Sequence, residues 1–183
     1  MEYKYKDANI VKEGQWNERT CIRREGGYNV DLASLPNGMK IIPKGAFFAV
    51  KESEGVKKAV FVKTAIAHAS AESGATSLQV EKGHSLAVGE VVNGSTISKI
   101  ATTASDYDTL TVSALSEAVT AGDALSDGNA KDCAGMCYAS VVVDSNPTIT
   151  LTLQAYEIDE DTLPYPASKE IKNALTSRHA FRL

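Results

Sequence analysis

Between Tyr28 and Val62 the apolar positions fall in short alternating or continuous runs, the pattern of strands and not of a helical stripe. Tyr28-Asn29-Val30-Asp31-Leu32 alternates with period two, and Asn37-Gly38 is a hairpin-turn signal leading into Met39-Lys40-Ile41-Ile42. Pro43-Lys44-Gly45 closes that strand. Ala46-Phe47-Phe48-Ala49-Val50 and Val56 to Val62 predict two more strands about a Glu54-Gly55 turn, with β-branched and aromatic content that disfavours helix. The β pattern returns after Ala130. Met136 to Val143 predicts one strand, Asn146-Pro147 a turn, and Thr148 to Tyr156 a long strand with Thr on one face and apolar residues on the other.

The stretch from Ala67 to Gly128 has another texture: Ala, Thr, Ser and Gly dominate, and Tyr107 is its one aromatic residue. Short β runs at Ser77-Leu78-Gln79-Val80, Glu90-Val91-Val92, Thr96 to Ile100 and Thr109 to Val112 are punctuated by glycines suited to tight turns. We read residues 67–128 as a small β subdomain inserted into a discontinuous β core made of 28–66 and 129–158. Residues 1–27 lack periodicity and are expected to form an extended arm whose exposed aromatics dock on something. Residues 159–183 predict a Pro-containing linker, one short helix with Ile171 and Leu175 stacked at i, i+4, and a last strand near His179 to Leu183. The expected fold class is therefore mainly β: a compact sandwich or barrel core, an inserted β subdomain and one short C-terminal helix.

Composition narrows the function. An aromatic share of 7% points to thin sheets with small side chains, which bury little area each and so favour association of subunits. A formal net charge of −4 gives no overall basic surface to displace counterions, so a nucleic-acid partner is not expected. No run of about 18 apolar residues occurs and the N-terminus has no apolar leader core, so neither a membrane partner nor secretion is expected. Cys21, Cys133 and Cys137 lack the spacing of a disulfide framework or a zinc site and are read as reduced thiols.

Candidate chemistry is sparse. No phosphate loop, dinucleotide fingerprint or nucleophile elbow is present. His68, His84 and His179 have no cysteine nucleophile or carboxylate cluster nearby in sequence and are read as surface or edge residues. Asp106 and Asp108 fall on one face by alternation and read as a solvated edge, not a calcium loop; Asp159 and Asp161 read as a plain acidic loop. No catalytic residue, metal or cofactor is expected. Tyr3, Tyr5 and Trp16 at one end, and Arg178, Phe181 and Arg182 at the other, are the candidate interface residues, because aromatic residues and Arg anchor interfaces.

A series of short motifs then carries a resemblance. Pro43-Lys44-Gly45 is followed by Val60-Phe61-Val62-Lys63-Thr64-Ala65, then Ala75 to His84, then Val88-Gly89-Glu90-Val91-Val92. Asp106-Tyr107-Asp108-Thr109-Leu110-Thr111-Val112 and Ala121-Gly122-Asp123-Ala124-Leu125 come next, before Leu163-Pro164, a helix and a terminal Phe. From Met39 onward this order resembles head-fibre and capsid decoration proteins of tailed bacteriophages. The resemblance implies a non-catalytic virion component on the capsid exterior, assembled in the host cytoplasm, with the major capsid protein as partner. It also implies a homotrimer and a compact β core like that of the lambda head decoration protein. The alternatives from the residues alone are a carbohydrate- or cell-surface-binding β module and a small β-barrel hydrolase.

Overall fold

Three apolar cores, each with its own buried residues, organise the chain. The computed structural model describes residues 15–24, 26–53, 55–175 and 178–182. Its strands are β1 (Ile22–Arg23), β2 (Tyr28–Val30), β3 (Ile41–Ile42), β4 (Phe47–Ser53), β5 (Val56–Phe61), β6 (Thr64–Ile66), β7 (Ser77–Glu81) and β8 (Val91–Val92). They continue with β9 (Ser95–Ala101), β10 (Tyr107–Val112), β11 (Ala124–Ser126), β12 (Cys133–Met136), β13 (Val141–Val142), β14 (Thr148–Ile149) and β15 (Thr152–Ile158). The helix α1 (Lys169–Leu175) and the strand β16 (His179–Phe181) follow. The chain is mainly β with one short α-helix among the described residues.

A five-stranded sheet in the order β12-β4-β5-β2-β14 forms the base. Its centre is the β4–β5 hairpin, paired from Phe48↔Phe61 to Ser53↔Val56. Period-two alternation sends Phe47 and Ala49 to one face and Phe48 to the other, and both faces are covered. That is why Ala46-Phe47-Phe48-Ala49 is apolar at consecutive positions. On the first face Phe47 meets Trp16, Met136, Ala155, Ile158 and the Ile171 and Leu175 stripe of α1. On the second, Phe48 packs edge-to-face on Phe61 with centroids 5.4 Å apart, beside Tyr28, Ile42 and Ile149. Each of these fully buried Phe rings contributes about 1.5–3 kcal/mol by burial.

The third core draws only on residues from Ala65 to Leu125. It lies under an antiparallel sheet of order β7-β10-β9-β8 and over the β6–β11 pair, in which Ile66 faces Ala124 and Thr64 faces Ser126. A second small sheet, β1-β15-β16, closes the first core: β1 runs antiparallel and β16 parallel to β15, with α1 in the β15-to-β16 crossover.

Several expectations change on this framework. Residues 15–24 are not an exposed arm: Gln15 and Trp16 are buried, and Asn17, Arg24 and β1 bond to the backbone of residues 151–156. Burying Trp16 in an aromatic-poor chain fills space that the small side chains leave. Asn37-Gly38 makes a turn, with Met39 N–H donating to Pro36 O and Gly38 at φ +80°, but no hairpin, because β2 and β3 pair with other strands. The strand expected over Met136 to Val143 breaks into β12 and β13, which join different sheets. Thr148 to Tyr156 likewise divides into β14 in the base sheet and β15 in the terminal sheet. Leu151 and Thr152 are both buried, so the alternation changes phase where the chain changes sheet.

Candidate functional site

Residues from the two ends of the described chain meet along β15. Ile22 stands opposite Gln154 and Arg23 opposite Thr152 on one side; His179 pairs with Ala155 and Phe181 with Ile158 on the other. Arg178 and Arg182 are exposed, and Phe181 is half-buried against the first core with the Lys172 Nζ 5.6 Å from its ring centroid. Trp16 is enclosed, with only 3% of its surface exposed, so it anchors the chain's own core and not a partner. Lys44 Nζ lies 4.4 Å from the Trp16 ring centroid and donates to Glu18 Oε1 at 2.7 Å. Tyr3 and Tyr5 lie outside the described residues.

The surface between those ends carries two of the exposed large apolar residues. Ile22 and Tyr156 are large apolar residues left 52% and 38% exposed. Since Tyr156 is two positions from Gln154, both lie on the sheet face turned away from Ala155 and the core. Arg23 sits over the Tyr138 ring at 4.9 Å and Arg24 over the Tyr28 ring at 5.0 Å. Glu157 adopts φ +57°, a strained conformation for a side-chain-bearing residue, and accepts a hydrogen bond from Asn17 Nδ2 at 3.0 Å.

Two histidines read as surface residues are interior. His179 is buried, and its Nε2 lies 3.0 Å from Thr152 Oγ1, which also accepts a bond from the Met136 N–H. Burial pushes its pKa down, and Arg178 adds to that, against the opposing pull of its hydrogen bonds. His84 is buried beneath the insert sheet, its Nε2 3.3 Å from Asp108 Oδ2 but off the hydrogen-bonding direction. Burial lowers its pKa against the raising effect of the Asp108 carboxylate.

Asp108 is not a solvated edge residue. It is 2% exposed and ion-paired with Lys82, because Asp108, Leu110 and Val112 share the core face of β10. Asp106 precedes the strand and is exposed. The same loop supplies Glu90, which pairs with the buried Lys63 and accepts from the Ala87 N–H, and Ser85, which bonds Thr64 N and O. Residues 82–90 therefore clamp the point where the chain passes from β5 into β6. The Asp108 carboxylate is committed to Lys82, so this cluster holds a loop and does not present a proton acceptor to solvent.

Cys133 and Cys137 are free, buried thiols whose pKa burial pushes up to about 12, and Cys21 is pushed up to about 11. Among the described residues no three His, Cys, Asp or Glu side chains stand together as a metal-binding group, and no helix is long and apolar enough to cross a membrane. A groove of about 850 Å³ separates the insert from α1, lined by mixed charges including Asp127, Lys131, Glu170 and Lys172. Its buried polar groups are satisfied locally: Ser126 Oγ lies 2.7 Å from Ser168 Oγ, and Asp127 accepts from Asn129. Comparisons with known protein families, curated proteins and solved structures find no match to this chain.

Proposed function

We propose that this chain is a non-catalytic accessory protein of a tailed-bacteriophage capsid, held on the shell exterior by its base as a decoration or head-fibre subunit. The observation that carries the reading is the separation of parts. The first and last described strands flank β15 in the terminal sheet, which packs on the first core of the base, while the insert springs from between β5 and β12 with a core of its own. A protein built this way is gripped by one sheet and displays another. Charge follows the same division. Residues 67–128 hold eight acidic and two basic residues, a net −6, whereas the whole chain carries −4. A homotrimer fits the reading, since three weak contacts at a three-fold site add avidity without any one being strong.

Shells of the encoding phage, assembled without this protein, are mixed with it and sedimented. The expected result is co-sedimentation at a fixed ratio to the major capsid protein; protein left wholly in the supernatant overturns the proposal. A second reading, a glycan-binding insert, has one observation in its favour: His68 and Tyr107 stack with centroids 4.9 Å apart on the insert. Binding of the full chain to a glycan array, abolished by Tyr107→Ala, would favour it.

A further inference from the structure

Five arginines surround β15, and none forms an ion pair with a described residue. Arg19 belongs to the turn whose neighbours Asn17 and Thr20 bond Tyr156 and Gln154; Arg23 and Arg24 bring β1 against Thr152 and Leu151. On the far side Arg178 O accepts from Ala155 N–H, and Arg182 N–H donates to Ile158 O. All five side chains are exposed. Neighbouring strands are about 4.8 Å apart, so the two flanks are separated by roughly 10 Å.

We infer that this terminal sheet is a docking surface for a carboxylate-rich protein surface, with Ile22 and Tyr156 as its apolar centre and the arginines as its charged rim. The inference rests on the attachment reading above for its biological setting and on the geometry for its chemistry. Two large apolar residues left open on one sheet face, with exposed arginines on both flanking segments, have the composition of an interface: an apolar centre that excludes water and a charged surround. A guanidinium engages a carboxylate through two parallel hydrogen bonds, which a lysine cannot do, and the nearby lysines Lys44 and Lys172 are already paired with Glu18 and Glu160, which leaves the arginines for a partner.

A protein partner suits the surface better than a polyphosphate. Glu18, Glu157, Asp159 and Asp161 lie in the same segments as the arginines, so a uniformly anionic duplex would meet repulsion there, whereas a protein surface can offer mixed charge. The acidic insert adds to that repulsion over longer range.

The test uses the full chain and a short glutamate-rich peptide with interspersed leucines, beside a DNA duplex of equal charge, at low and at physiological salt. The expected result is peptide binding that weakens with salt and weakens at least tenfold in the Arg23→Gln/Arg182→Gln double variant. Tyr156→Ser should weaken it several-fold at both salts, and Lys99→Gln on the insert should change nothing. Tighter binding to the duplex, or peptide binding indifferent to the arginine substitutions, overturns the inference. Self-association that the double variant abolishes also overturns it, because the occupant is then the acidic insert of a second copy. Peptide binding without shell binding leaves this inference standing and sinks the capsid reading; shell binding indifferent to the arginines does the reverse.

Discussion

At the scale of single residues, the interior places that sequence reasoning misjudged are polar ones with an apolar register. Asp108 belongs with Leu110 and Val112 at two-residue spacing, and those partners mark the core face. The alternation was legible, but which face was buried was not, because the partner Lys82 lies across a turn and a ladder. Thr152 is buried for a similar reason, serving Met136 N and His179 Nε2. A consequence concerns pH. His84 and His179 have folded-state pKa values lowered chiefly by burial, so below the ordinary histidine value of about 6.5 the unfolded chain takes up protons that the folded chain refuses. Stability should be level above that value and fall as pH drops below it, by at most about 1.4 kcal/mol per pH unit for each histidine. Asp127, raised chiefly by burial, acts oppositely in a lower window, regaining stability as pH falls through its folded value. Urea midpoints from about pH 7.5 to 5.5 check this, and His84→Gln and His179→Gln should each flatten the acid limb. A slope unchanged by both would place the acid sensitivity elsewhere. Gly135 gives a steric prediction. A Cβ there would stand 2.2 Å from Thr152 O, where β12 crosses β15, so Gly135→Ala should cost about 3 kcal/mol in urea unfolding.

Among the elements, the short helix and the β4–β5 hairpin were readable because their signals are local: an i, i+4 apolar pair, and two β-rich runs about a turn. Elements that change sheet were not. Nothing in Thr148 to Tyr156 marks the point at which the ladder passes from β2 to β1 and β16, since pairing partners are set by tertiary contacts. The aromatic-poor texture of the insert reflects one core built mostly of Leu, Val and Ile. Because Ile66 faces Ala124 across the β6–β11 ladder, a tight turn of two to four residues can replace residues 67–123 and close a hairpin there. That variant should remain folded, since the two base cores contain no residue of the third. Loss of the clamp from residues 82–90 should cost a few degrees of Tm without abolishing cooperative melting. Circular dichroism melting checks it, and a chain with no transition would mean that the insert is part of the base.

For the whole molecule, charge and association are linked. The insert's net −6 leaves the remaining residues at +2, so neighbouring inserts repel strongly and the remainders only weakly. If three copies assemble through their bases, screening that repulsion with salt should strengthen the trimer, since exposed charges more than about 10 Å apart are screened at 0.1 M. If copies instead join head to tail, an acidic insert on an arginine-lined sheet, salt should weaken the assembly, and the rotation need not close. The two arrangements therefore predict opposite slopes. Light scattering across the micromolar range, at low and physiological salt, should give three times the chain mass, with the trimer fraction rising as salt is added. A monomer at every salt would remove the avidity argument for three-fold docking. A mass that falls with salt would reassign the arginine sheet to the protein's own insert.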